Sequence, residues 1–223
     1  MLPLRCDSKN KTFPISVIFI LVLNTVVFLY QQNNLHHEFL INNLACIPVK
    51  VLFAGELKFY FTLLTYMFLH AGWFHYLFNM LFLWVFGKNV EDIVGHMGFI
   101  YFYLLCGIGA GIIYLVINPA SSSPTIGASG AISGILAAHM VLYPSSRIVV
   151  LILVGIAIPA RFPAYLLISL WFILQFLHGV SSLSVESGFA NVAWFAHIGG
   201  FITGILLLPI FLIIRKYLHK VKN

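Results

Sequence analysis

The sequence predicts an all-α polytopic membrane protein, a bundle of six transmembrane helices. Three observations carry that expectation. First, 61% of the 223 residues are hydrophobic and 8% are charged, and the mean hydropathy is +1.00. A water-soluble domain of that composition has too few polar groups to cover its surface. Second, apolar stretches of about the length that spans a bilayer, roughly 20 residues, recur at 13–31, 72–87, 94–117, 129–143, 161–179 and 194–214. Third, the basic residues sort by side. Six crossings put both termini together, and that side then holds Arg5, Lys9, Lys11, Lys88, Arg147, Arg161, Arg215, Lys216, Lys220 and Lys222, against Lys50 and Lys58 on the other. Such an excess marks the cytoplasmic face. The net charge of +6 therefore reports topology and contact with anionic lipid headgroups. No nucleic-acid partner is expected.

Residues 1–12 form a short basic cytoplasmic tail, 13–214 the six-helix core, and 215–223 a second basic tail. The first apolar run is longer than the core of a cleaved signal and no small-residue cleavage site follows it, so it reads as a span. The N-terminus also lacks the Arg- and Ser-rich, acid-poor pattern of an organelle transit peptide. The connection from about 32 to 71 is the longest and lies outside. It mixes polar runs ("QQNNLHHE") with apolar ones ("VLFAGELKFYFTLLTYMFL"), and the second kind suits a segment lying in the membrane interface. The uncharged loop "INPASSSPT" ends the third span and allows a sharp re-entry. The stretch 147–160 is apolar and closes on "IPARFP"; helix, strand and loop all remain open for 147–158, and its prolines bound the fifth span near Phe162. Residues 180–193, with Glu186, make the last outer loop. The two halves show no self-similarity, which weakens an inverted-repeat transporter reading. Cys6, Cys46 and Cys106 fall at different depths, so no disulfide framework is expected.

The stretch "PTIGASGAISG" (124–134) opens the fourth span. A helix from Ser129 to Tyr143 rises only about 22 Å, against roughly 30 Å of hydrocarbon. With Pro144 and Arg147 at the cytoplasmic interface, Ser129 lies below the outer surface. A helix beginning there exposes unpaired amides, which only protein or a wet cavity can satisfy. Those amides and the positive helix end favour an anion, as an oxyanion hole does. The bland alternative is packing. Gly130, Gly134 and Ala138 make a small-xxx-small stripe, and Ser133 can bond to its own helix. The stretch is not the G-x-S-x-G elbow of soluble hydrolases, because Ala131 stands two after the serine.

In "AHIGGFITG", His197 is the fourth residue of the sixth span, roughly 5 Å in from its outer end. That depth matches Ser129. Gly200 and Gly204 share its face and allow close approach to the fourth span. An ionisable residue inside a membrane helix is a functional candidate, here a general base for Ser129. The acidic residues Asp7, Glu38, Glu56, Glu91, Asp92 and Glu186 all fall outside the spans. The expected machinery is thus a Ser–His dyad, with Glu186 the one remote exception. In "HAGWFHYLFNM", His75 and Asn79 are one helical turn apart at the outer end of the second span. Asn79 is assigned to the oxyanion hole and His70 to capping or orienting the outer loop. His36, His37, His96 and His219 read as solvated or interfacial, and His139 and His178 as packed or near helix ends.

Together "HAGWFHYLFNM", "GASGAISG" and "AHIGGFITG", in this order, with "FGKNVEDIVG" between the first two, resemble the rhomboid family of intramembrane serine proteases over about residues 60–214. The resemblance implies a rhomboid-like bundle with Ser129 as nucleophile and His197 as base and later acid. It implies an oxyanion hole lined by Asn79, His75 and the Ser129 amide. Substrates would be transmembrane segments of other proteins, entering between the second and fifth spans. Trp171, Phe172 and Phe176 would then form a lateral gate, with 180–193 as its cap. Two positions depart from the family pattern. Phe61 and Thr62 stand where members often carry Trp-Arg in the outer loop. Ser133 stands where many carry an aromatic residue stacked on the histidine, which leaves open what orients His197.

The functional expectation is therefore a serine endopeptidase acting inside the membrane without cofactor or metal. It is expected in a bacterial inner membrane with both termini cytoplasmic, an organelle being the alternative. The leading rival is an inactive rhomboid-like protein that binds membrane clients; its signature would be loss of Ser129 or His197, and both are present. A transporter would be expected to carry a charge in mid-helix, and none is found.

Overall fold

The computed structural model describes residues 2–8, 11–154, 156–182 and 193–222. Its elements in order are strand β1 (Leu2–Cys6), helices α1 (Ile15–Gln31), α2 (Asn34–Leu44), α3 (Pro48–Phe53), α4 (Leu57–Thr65), α5 (Trp73–Phe82), α6 (Lys88–Val94), α7 (His96–Ile117) and α8 (Ser129–Leu142), strands β2 (Arg147–Val154) and β3 (Ile156–Pro163), and helices α9 (Ala164–Ser182) and α10 (Trp194–Lys222). Helices α7, α9 and α10 are long and apolar enough to cross a membrane, and α1 and α8 are shorter apolar helices. A π-helical stretch, Leu83–Gly87, joins α5 to α6 into one rod that ends at Gly95, where φ is +81°. Large apolar side chains such as Phe13, Val26, Phe74, Val116, Leu206 and Ile213 face outward. In water such a surface would aggregate; against lipid tails it costs nothing.

Helix α8 is the innermost element. Gly130 to His139 are all buried, walled by α7 and α10. With no hydrophobic drive between helices in lipid, such packing depends on small residues that let backbones approach. Here a Cβ on Gly200 would run into the carbonyl oxygen of Gly130, and one on Gly204 into that of Gly134. On the α7 side a Cβ on Gly134 would meet the Cys106 sulfur.

The start of α1 is held by a buried carboxylate. Glu91 Oε1 accepts from the Ser16 amide at 2.8 Å and Oε2 from the Val17 amide at 2.9 Å, and Oε1 also meets His96 Nδ1 at 2.5 Å. Negative charge at a helix N-terminus meets both the unpaired amides and the helix dipole. His96 is itself exposed, as expected of a solvated or interfacial residue, and makes this contact from the surface.

The all-α expectation fails at the end of the bundle opposite the start of α8. β1, β2 and β3 form an antiparallel sheet in that order, with Arg5 opposite Val149 and Val149 opposite Arg161. Two local causes produce it. "RIVVLILV" is rich in β-branched side chains, which fit a pleated, half-buried surface. Pro159 and Pro163 disfavour a helix before them, so Arg161 and Phe162, read as the start of the fifth span, belong to β3 and the helix begins at Ala164. Ile148 and Val150 are fully buried, whereas Arg5, Arg147 and Arg161 are exposed. Residues 2–6, read as part of a tail, are an edge strand, and residues 215–222 continue α10. Cys6, Cys46 and Cys106 are free and buried.

The connection from 32 to 71 folds into α2, α3 and α4 and is pinned at several points. Cys46 and Thr125 exchange backbone bonds of 3.1 and 2.8 Å, and Thr65 Oγ1 donates to Leu44 O at 2.8 Å. Gln31 Nε2 donates to His70 O at 2.8 Å, and the His70 amide returns a 3.0 Å bond to Gln31 Oε1. At the two positions that depart from the family pattern, Phe61 is exposed and Thr62 is buried.

The glycine contact predicts that Gly204→Ala lowers the thermal midpoint in detergent. The loss corresponds to about 1–3 kcal/mol of overpacking. Gly98→Ala in α7, where the new Cβ meets only contacts of 3.5 Å or longer, leaves the midpoint unchanged or raises it. Differential scanning fluorimetry of the two variants checks this.

Candidate active site

The loop before α8 approaches the bundle through Gly127, whose φ is +123°. Its amide donates to Tyr66 O at 2.9 Å. A side chain there would be strained, and its Cβ would lie 2.7 Å from Nε2 and Cε1 of His75. Glycine is therefore what lets an imidazole rest against this turn. Two residues later Ser129 begins α8, whose first amides have no partner within the helix.

Ser129 Oγ lies 2.7 Å from His197 Nε2 across the α8–α10 contact. His197 Nδ1 lies 2.7 Å from Oε1 of Gln175 on α9. The carboxamide oxygen can only accept, so Nδ1 carries the proton and Nε2 is free to accept from the serine. Trp171 and Trp194 flank the imidazole, with ring centroids 5.9 and 6.1 Å away. A cavity of about 640 Å³ opens over the pair, lined also by Tyr66, His75, Gly127, Gly130 and Ala196. Its walls are mostly apolar, with His37, Tyr66, His75, Thr125, Ser129 and His197 supplying the polar groups. In such a site a fixed dipole acts more strongly than in water.

His75 lines this cavity. The Ala71 amide donates to its Nδ1 at 3.3 Å, which leaves Nε2 as the protonated nitrogen of the neutral ring and a donor beside Gly127. Asn79 is buried, and its Nδ2 finds no hydrogen-bond partner among the described residues. It is not among the cavity-lining residues. His70 is fully buried, its ring edge-on to Phe28, His75 and Tyr76. Gly130 and Gly200 form the backbone contact described above.

The gate candidates separate. Trp171 sits at His197, Phe172 packs on Phe201 of α10 with centroids 4.3 Å apart, and Phe176 is about half exposed. Of the cap at 180–193, residues 180–182 finish α9; residues 183–192, with Glu186, lie outside the described residues. Ser133 Oγ donates to Ser129 O at 2.6 Å, within its own helix. His37 is exposed, in keeping with the solvated or interfacial role expected for it, and also lines the cavity. His178 stacks on Trp194 at 4.8 Å, and His139 is buried beside Cys6 and Ser146.

Sequence reasoning missed Gln175 and Gln31. Gln175 is a lone carboxamide in an apolar run ("WFILQFL"), and a polar group at membrane depth is itself a signal; Gln31 opens the polar run "QQNN" and carries no such signal.

A serine and a histidine in hydrogen-bond contact, beneath a cavity and at the buried start of a membrane helix, define a helical membrane protein with a candidate nucleophile–base pair. The comparisons agree with that class. Residues 58–214 match the model of the Rhomboid domain, and the chain belongs to the rhomboid family as an integral, polytopic membrane protein. It is 36% identical over 156 residues to RHOMBOID-like protein 1 of Arabidopsis thaliana, covering 70% of this chain and 35% of the relative. It is 37% identical over 78 residues to the chloroplastic Rhomboid-like protein 11 of the same plant, covering 35% of this chain and 28% of the relative. With Rhomboid protease GluP of Bacillus subtilis it shares 42% over 85 residues, covering 38% of this chain and 16% of the relative. The matches thus span about a third or less of these relatives' own lengths.

Burial, with His75 nearby, holds the His70 imidazole down to about 3 from an ordinary 6.5. The folded chain therefore keeps it neutral while the unfolded chain takes up a proton near 6.5. Its contribution to stability is present above that pH and is lost as pH falls from 6.5 towards 3. The thermal midpoint of wild type should drop across this window, and His70→Phe should flatten the drop. Scanning fluorimetry against pH measures both.

Proposed function

We propose that this chain is an intramembrane serine endopeptidase that cleaves transmembrane segments of other membrane proteins. The observation that carries the reading is the 2.7 Å contact between Ser129 Oγ and His197 Nε2, with Nδ1 of the same ring held in the complementary tautomer. Membership in a family whose relatives include a protein named as a protease supports it.

In this reading His197 Nε2 takes the Ser129 proton as Oγ attacks a peptide carbonyl. The oxyanion that forms meets the free amides at the start of α8 and the His75 Nε2–H. The Asn79 Nδ2, buried with no hydrogen-bond partner among the described residues, is the further donor; it reaches the site if its side chain turns towards the cavity. The imidazolium then protonates the leaving amine, and the carbonyl carbon stays bonded to Ser129. Water from the cavity, deprotonated by the same nitrogen, releases the acid and restores the serine. None of these steps draws on a metal or cofactor. An unwound peptide suits this geometry, because a helical carbonyl is already bonded and shielded. Entry is assigned between α5 and α9, past Trp171, Phe172 and Phe176. The six-crossing topology with cytoplasmic termini, in a bacterial inner membrane, belongs to the same proposal.

The test needs no known substrate. Purified chain in detergent is treated with a fluorophosphonate and the adduct is mapped by mass spectrometry. Wild type is expected to label at Ser129. Ser129→Ala removes the adduct, and His197→Ala slows it by on the order of 10³-fold or more. An unlabelled Ser129 in folded wild type, together with no cleavage of a membrane-embedded reporter, would favour the client-binding reading instead.

A further inference from the structure

The base in this site has no acidic partner among the described residues. The groups that meet the His197 ring are Ser129 on one nitrogen, Gln175 on the other, and the rings of Trp171 and Trp194. Ser133, one turn into α8, is occupied by its own helix. We infer that Gln175 is the positioning residue of the dyad, its carboxamide oxygen holding the proton on Nδ1 so that Nε2 faces Ser129 as an acceptor. The inference rests on the protease reading above and adds to it the residue that sets the state of the base.

Three features of the structure favour this role over packing. Gln175 is 7% exposed in an otherwise apolar stretch of α9, and a buried carboxamide without a partner is costly. Its bond to Nδ1 is as short as the serine bond to Nε2, 2.7 Å in each case. A neutral imidazole has one donor and one acceptor nitrogen. An acceptor fixed on Nδ1 therefore excludes the tautomer in which Nε2–H would point at the serine and could take no proton from it. A neutral acceptor also orients the ring without stabilising a charge. This fits a site at membrane depth, where an ionised carboxylate would be expensive.

The arrangement ties the base to α9. Both Gln175 and Trp171 ride on that helix. Of the three long apolar helices it is the least enclosed, with 22% of its most apolar window buried against 44% in α7 and 39% in α10. The orientation of His197 is therefore only as firm as the docking of α9.

The test uses the full chain in detergent and compares wild type, Gln175→Leu and Gln175→Glu. The first readout is the fluorophosphonate labelling rate of Ser129 against pH. The second is the 15N spectrum of His197, assigned by difference from His197→Ala, which reads the tautomer whether or not the serine reacts. Wild type is expected in the Nδ1–H form. Gln175→Leu is expected to shift the ring to the Nε2–H form and to slow labelling by on the order of 10²-fold, with its thermal midpoint within a few degrees of wild type. Gln175→Glu restores an acceptor, recovers the rate, and moves the acid limb of the profile to higher pH because a carboxylate beside the ring favours the imidazolium. An Nε2–H tautomer in wild type overturns the inference, and so does a wild-type rate in Gln175→Leu. Equal loss in both folded variants overturns it too, since it would point to packing. Were wild type itself unreactive, the protease reading would fail, while the tautomer of the wild-type ring would still decide the role of Gln175.

Discussion

Gly200 and Gly204 bring the backbone of α10 so close to α8 that one added carbon at either would overlap a carbonyl oxygen of Gly130 or Gly134. Most of the site follows from this contact. Ser129 is one residue before Gly130, and His197 is three before Gly200. Locking the glycines in register therefore fixes how serine and imidazole meet. A hydrogen bond of 2.7 Å tolerates little sliding between its parent helices. The fully buried face of α8 prevents that sliding from the other side, through Cys106 and Ala110 of α7.

Polar groups act here as ties at the edges of an apolar bundle. Glu91 holds the first amides of α1, Gln31 exchanges two bonds with the backbone of His70, and Gln175 holds Nδ1 of His197. Each joins elements distant in sequence, and each answers a requirement to pair polar groups away from water. The Gln31 pair bears on function indirectly. It anchors the chain just before α5, the helix that carries His75 and Asn79 towards the start of α8. The loop thus has its own attachment despite Phe61 and Thr62 at the positions where the family pattern differs.

The two ends of the bundle are built differently. At the start of α8 the backbone is irregular and open to a cavity of about 640 Å³, as unpaired amides at membrane depth require. At the opposite end a three-stranded sheet buries Ile148 and Val150 against the helices and presents Arg5, Arg147 and Arg161 outward. The cavity end carries the chemistry in the proposed function, and the sheet closes the other.

The apolar stretches behind α7, α8 and α10, and Ser129 and His197, which the structure brings into contact, were legible in the chain because they rest on short-range signals. Apolar length, basic bias and small-residue spacing are properties of contiguous sequence, and the start of α8 at Ser129 and the end of α7 at Ile117 fell where those signals placed them. The sheet was not legible, since an apolar run bounded by prolines fits a strand or a buried helix equally well until β1 arrives from the far end of the chain to pair with it. Nor was the partner of His197. Gln175 is 22 residues away in sequence, and a lone carboxamide in an apolar helix announces only that it needs a partner. Which partner it finds is set by how α9 and α10 pack, so pairing across helices is the part that tertiary structure alone decided.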